Sequence, residues 1–231
     1  MKEKPVIITR DLKKTYHDGG VPVEAVRGID FTLERGEFTA IIGPSGSGKT
    51  TFLNLVAGLD SPSEGEVELS GRLISSMSGK ELAAWRRDHI GFVFQAYNLF
   101  PVLTVEENVE YVMLLQGVGA RERHERVMRI LEEVELADMA DRLPSRLSGG
   151  QQQRVAVARA MVSEPDLIIA DEPTANLDST TGGALLDTMK RLNEETGMTF
   201  LFSTHDEVVM ERAHRLAVIR DGRLDSGGQG K

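Results

Sequence analysis

The sequence contains no cysteine, which excludes disulfides and cysteine-ligated metal centres and gives no sign of an oxidising compartment. Long apolar runs are also missing. The longest clean ones, such as Leu167-Ile168-Ile169-Ala170, are strand-sized, far short of the roughly 18 residues that a membrane-spanning helix needs. The chain is therefore not expected to cross a membrane by itself. Its amino end, Met-Lys-Glu-Lys-Pro, is charged and lacks the apolar segment of a secretion signal, so a cytosolic location is expected. Nor is there an excess of basic charge. With 27 Lys and Arg against 36 Asp and Glu, the net charge is −9, which argues against nucleic acid as the main partner, because phosphate neutralisation usually demands a basic face.

What remains is ordinary globular composition, 40% hydrophobic and 27% charged over 231 residues, enough for one α/β domain with an insertion. Phe38 to Ile42, Leu167 to Ala170 and Met198 to Phe202 read as buried strands ending in polar residues. Between the last two, Leu185, Leu186, Met189 and Leu192 share one helical face. Strand, helix and strand in that order predict a crossover and a mainly parallel sheet. Val6 to Ile8, Phe31 to Leu33 and Val67 to Leu69 suit a flanking antiparallel sheet. From about Val105 to Ser163 helical patterns dominate, with Val127, Ile130, Leu131 and Val134 in one stripe. The expected class is α/β: a core of mainly parallel sheet over about residues 1–90 and 161–225, a helical subdomain over about 91–160, and a mobile tail at 226–231.

The strongest motif is Gly43-Pro44-Ser45-Gly46-Ser47-Gly48-Lys49-Thr50, with Thr51 opening the following helix. A glycine-rich turn between a buried strand and a helix aims successive backbone N–H groups at phosphate oxygens, and the helix N-terminus adds positive partial charge. Lys49 would reach the terminal phosphates and Thr50 would place its hydroxyl on Mg²⁺. Asp171 and Glu172 stand at the carboxyl end of an apolar strand, where ligands gather in an open α/β sheet. Asp171 would bind Mg²⁺, and Glu172 could orient and deprotonate a water. A second potential phosphate cradle lies at Leu147-Ser148-Gly149-Gly150-Gln151. One phosphate does not need two cradles from one chain, so two chains paired head to tail, each covering the other's nucleotide, are expected.

These motifs, in this order, resemble the nucleotide-binding subunit of ABC transporters over about residues 5–225. The resemblance implies that Leu147 to Gln151 is the family signature and that Ala175-Asn176-Leu177-Asp178 is the dimer-contact loop, although the commonest form has Gly or Ala before an apolar residue and Leu-Asp. It implies that His205 is the switch histidine on the γ-phosphate. Gln95 would link the ATP and Mg²⁺ site to the helical subdomain, and Tyr16 would stack on adenine. Tyr97, Leu99 and Phe100 would line a groove for a helix of a membrane permease, on the cytoplasmic side of the membrane. The runs Trp85 to Gln95, Asn98 to Pro101, Leu103 to Val109 and Met113 to Val118 are similar to the macrolide-export and lipoprotein-release subfamily. A polar amino-acid importer, a soluble ABC ATPase acting on DNA or ribosomes, and a P-loop kinase remain alternatives. A kinase would need neither the signature nor a switch histidine.

Overall fold

Among the described residues the strand and helix periods resolve into two sheets and three apolar clusters. The computed structural model describes residues 4–17 and 20–225; the expected tail at 226–231 lies outside them. In chain order come β1 (Ile7–Tyr16), β2 (Val23–Leu33), β3 (Phe38–Ile42), α1 (Lys49–Val56), β4 (Glu64–Leu69), β5 (Arg72–Leu73), α2 (Gly79–His89) and β6 (Ile90–Val93). Three helices follow, α3 (Val105–Leu115), α4 (Ala120–Glu133) and α5 (Gly149–Met161). The chain closes with β7 (Leu167–Asp171), α6 (Ser179–Thr196), β8 (Phe200–Thr204), α7 (Glu207–Arg212), β9 (Arg215–Arg220) and β10 (Arg223–Leu224).

One sheet has the order β2-β1-β4-β5 and the other β10-β9-β3-β8-β7-β6. The first is antiparallel. The second is parallel from β9 to β6, with antiparallel β10 at its edge. A parallel sheet covered on both faces needs strands that are apolar throughout. β3 and β7 meet this, with Phe38, Ala40, Ile41, Leu167, Ile168 and Ala170 fully buried. β2 instead alternates, with Ile29, Phe31 and Leu33 inward and Asp30 exposed, as a one-sided sheet requires. The antiparallel sheet packs against α1 through Phe31, Phe52, Leu55 and Leu69. A second cluster, with Phe38, Phe200, Phe202, Leu186 and Met189, seats α6 on the parallel sheet. A third, containing Val105, Val109, Val127, Leu131 and Val134, holds α3, α4 and α5 together.

Two boundaries differ from expectation. Residues 91–93, assigned by the sequence reading to the helical segment, form the edge strand β6, with Val93 opposite Ala170. Gly91 permits this: a Cβ there would lie 2.0 Å from the Ala160 carbonyl oxygen, so only glycine lets α5 lie so close. β8 starts at Phe200 rather than Met198, because the Asn193 amide takes the Met198 carbonyl at 2.5 Å.

Candidate functional site

The loop between β3 and α1 is shaped by two glycines that no other residue could replace without moving backbone. Gly43 has φ 151 and Gly48 φ 105. A Cβ on Gly43 would fall 2.1 Å from the Ile219 carbonyl, and one on Gly48 2.4 Å from that of Ala25. Gly46 faces open space. Gly48 caps α1 with no side chain, and no acid sits in the first turn, so the positive end of the helix is not neutralised locally. Lys49 is buried and donates to the Gly43 and Pro44 carbonyls at 2.8 and 3.1 Å. Ser47 is 4% exposed, and its hydroxyl has no hydrogen-bond partner. Beside the loop lies a cleft of about 330 Å³ that includes Val23, Ala25, Gly46, Thr50 and Thr51 in its lining. Backbone donors, an uncapped helix start and an orphan hydroxyl fit a polyphosphate.

The parallel register places the second half of the site. Asp171 and Ser203 are paired neighbours on β7 and β8. Asp171 accepts from the Ser203 hydroxyl at 2.5 Å and from the Thr50 hydroxyl at 3.3 Å. This joins the ends of three segments. Glu172 follows with φ 50, a left-handed conformation uncommon for a non-glycine residue. Its N–H donates to the Ser203 hydroxyl at 3.1 Å, and its carboxylate lies 2.9 Å from His205 Nδ1. The Glu172 side chain is mostly buried, at 18% exposure, whereas His205 is 68% exposed. An oxygen-donor pair, Thr50 and Asp171, suits a hard cation such as Mg²⁺.

Tyr16 stands at the end of β1, its hydroxyl donating to Asp60 at 2.8 Å and Lys14 lying over its ring. Burial and the Asp60 bond raise the phenol pKa, with Thr51 opposing. Burial acts to raise the Asp60 pKa, but bonds from Lys14 and Tyr16 outweigh it and leave that pKa lowered. The ring remains 38% exposed.

The second cradle is built on different elements. Ser148 caps α5 in a reciprocal box with Gln151. A Cβ on Gly150 would lie 2.5 Å from Thr181 Cγ2, which sets the start of α6 against the start of α5. Asp178 caps α6, accepting from the Thr180 and Thr181 N–H groups and from the Thr181 hydroxyl at 2.6 Å. The Thr181 bonds lower its pKa. Helix α1 packs chiefly on β1, β2, β4, β7 and β8, whereas α5 packs on α3, α4, α6 and β6. Among the described residues no hydrogen bond joins residues 43–50 to residues 148–151. Gln95 is exposed, and its carbonyl accepts from the Asn176 amide at 2.8 Å. Phe100 is exposed, while Tyr97 and Leu99 are half-buried.

The sequence reading missed Ser203, which bonds both Asp171 and Glu172. It singled out the segment of Asn176 but not the bond of its amide to the Gln95 carbonyl, which ties Gln95 to the Asp178 loop. A polar residue at a strand end one position before Thr204-His205 was the available signal for Ser203. Nothing local pointed to the Asn176–Gln95 bond, whose partners lie 81 residues apart.

A glycine-rich phosphate loop, a strand-end carboxylate pair and a parallel sheet define the class of P-loop nucleotide hydrolases. A family model described as ABC transporter matches residues 26–175, and the chain belongs to the ABC transporter family. It is 45% identical over 221 residues to an uncharacterized ABC transporter ATP-binding protein, YknY, of Bacillus subtilis, covering 96% of both chains. It is 44% identical to the macrolide export ATP-binding/permease protein MacB of Brucella melitensis, with 97% of this chain matching 34% of that one. The chain thus spans about a third of the length of MacB. A solved dimeric structure of the ABC transporter cassette MJ0796 superposes with TM-score 0.88 at 42% identity, covering 95% of this chain and 96% of that one. A post-hydrolysis dimer of the same cassette bound to ADP and Pi gives 0.87 at 41%, with the same coverage. The chain is an ATP-binding and ATP-hydrolysing cassette of the ABC transporter family, and no helix among its described residues is long and apolar enough to cross a membrane.

Proposed function

We propose that two copies of this chain close around two ATP molecules and that hydrolysis reopens them to drive a permease of the macrolide-export or lipoprotein-release type from the cytoplasmic side of the membrane. Each ATP is gripped by Ser45, Gly46, Ser47, Gly48, Lys49, Thr50 and Thr51 of one copy. Ser148, Gly149, Gly150 and Gln151 of the other cover it. Tyr16 stacks on the adenine, and Asp178 lies in the contact between copies. Thr50, Gln95 and Asp171 are the residues that would hold Mg²⁺, which supplies charge neutralisation on the phosphates when bound.

Glu172 acts as the base. The left-handed turn and the Ser203 bonds aim its carboxylate out of the end of β7. His205, bonded to that carboxylate, senses the γ-phosphate, and its exposure leaves it free to do so. Lys49 leaves its loop carbonyls for phosphate oxygens, exchanging one set of acceptors for a charged one. The observation that carries this reading is the convergence of Thr50, Asp171, Glu172 and His205 at the carboxyl ends of β3, β7 and β8. The similarity to MacB, which joins a cassette and a permease in one chain, supports the permease partner. Tyr97, Leu99 and Phe100 are the contact, presented by a loop that the Asn108 amide holds through the Phe100, Leu103 and Thr104 carbonyls.

Glu172→Gln should lower kcat by roughly 10²–10⁴-fold while ATP still binds and holds the dimer. Steady-state hydrolysis and size-exclusion chromatography with ATP check this. Turnover within a few-fold of the parent would remove Glu172 from the role of base.

A further inference from the structure

Arg159, in the last turn of α5, is half-buried and takes no part in the site described above. Its two guanidinium nitrogens donate to consecutive backbone carbonyls on a distant loop, Asn98 at 2.6 Å and Tyr97 at 2.8 Å. Both of those residues are left-handed, with φ 58 at Tyr97 and φ 50 at Asn98. Two successive non-glycine residues in this region are strained and persist only where the surroundings impose them. Among the described residues no carboxylate lies within ion-pair distance of Arg159. Burial lowers its pKa. A desolvated cation satisfied only by main-chain oxygens is expensive to keep. The same loop touches the other end of the helix, because a Cβ on Gly149 would lie 3.1 Å from the Tyr97 hydroxyl. Tyr97 therefore lies along α5, its carbonyl held near the carboxyl end and its hydroxyl set against the amino end that carries Ser148 and Gly150.

We propose that Arg159 is a positioning residue that clamps the 97–100 loop onto α5, so that the surface offered to a permease and the cradle offered to a partner's ATP move as one body. The bidentate grip suits this better than a single ammonium would, since the planar fork fixes two acceptors at once. The clamp converts closure of Ser148–Gly150 on nucleotide into displacement of Leu99 and Phe100. The inference rests on the permease reading for its purpose, but its geometry belongs to the isolated chain.

The test uses the full chain in a Glu172→Gln background, with hydrogen exchange read segment by segment. In the parent, ATP protects residues 148–151 and residues 97–100 together. In Arg159→Met, exchange of 97–100 without nucleotide rises about tenfold or more. ATP then protects 148–151 alone. Arg159→Lys, which retains the charge and one bond, restores part of the shared protection. Should the Met variant fail to fold, an exchange rate for the Lys variant between the parent value and free-loop exchange supports the clamp. A rate equal to the parent's overturns it. The clamp is likewise overturned if 97–100 stays protected in the Met variant, or if both segments lose protection together. The permease reading fails separately: a co-purified membrane subunit that leaves turnover of the parent chain unchanged would sink it, whatever the exchange pattern.

Discussion

Ser203 is fully buried and links the two carboxylates to which the proposed function assigns the cation and the base. Its hydroxyl donates to Asp171 and accepts from the Glu172 N–H, so one side chain fixes both the Asp171 carboxylate and the turn that aims Glu172. Ser203→Ala should cost about 1–2 kcal/mol of stability, because the Glu172 N–H loses its shorter bond. The effect on turnover is expected to be larger, since a small misplacement of the base costs on the order of 10- to 100-fold in kcat. Steady-state kinetics should show kcat falling with KM for ATP little changed; an unaltered kcat would show that Glu172 is oriented without it. At this scale the sequence was legible where placement is local. Lys49, Thr50, Asp171 and Glu172 each lie in a motif whose chemistry needs only its immediate neighbours. Ser203 and Arg159 were not legible, because their partners lie 31 to 62 residues away and become neighbours only through strand order and helix packing.

At the scale of elements, period and burial were a good guide wherever one face alone decided the outcome. The stripe of Val127, Leu131 and Val134 lies in the helical cluster, and Leu185, Leu186, Met189 and Leu192 lie under the parallel sheet. The failure at β6 has a steric origin. Gly91-Phe92-Val93 carries too short a pattern to separate strand from helix start, and the deciding contact is the approach of α5 to Gly91. Gly91→Ala should therefore force β6 from α5, because its Cβ would meet the Ala160 carbonyl at 2.0 Å and backbone cannot yield as a side chain can. Overpacking of this kind costs about 1–3 kcal/mol, and for a chain of this size that lowers Tm by roughly 2–12 °C. Calorimetry with the parent and Gly91→Ala chains checks it. An unchanged Tm would mean that the strand and helix separate freely, and the close approach would then not be what fixes β6 in the sheet.

The whole molecule places its two cradles on separate bodies, one on α1 above both sheets and one on α5 within the helical cluster. That separation had a signal in the sequence, because two potential phosphate-binding turns in one chain are more than one phosphate needs. The proposed head-to-tail pairing has a consequence for mixtures of variants. Lys49→Ala removes the P-loop cation and Ser148→Arg blocks the cradle, so either variant alone should be nearly inactive. In a mixed dimer the two lesions fall on the same site: the P-loop of the first variant faces the cradle of the second. The other site then joins an intact P-loop to an intact cradle. Random pairing of equal amounts makes half the dimers mixed, each with one working site of two, so ATPase activity should recover to about a quarter of the parent value. Titrating one purified variant into the other at fixed total protein measures this directly. A flat response would mean that each chain completes its own site, and α1 and α5 would then have to meet within one copy, which their packing on different elements opposes.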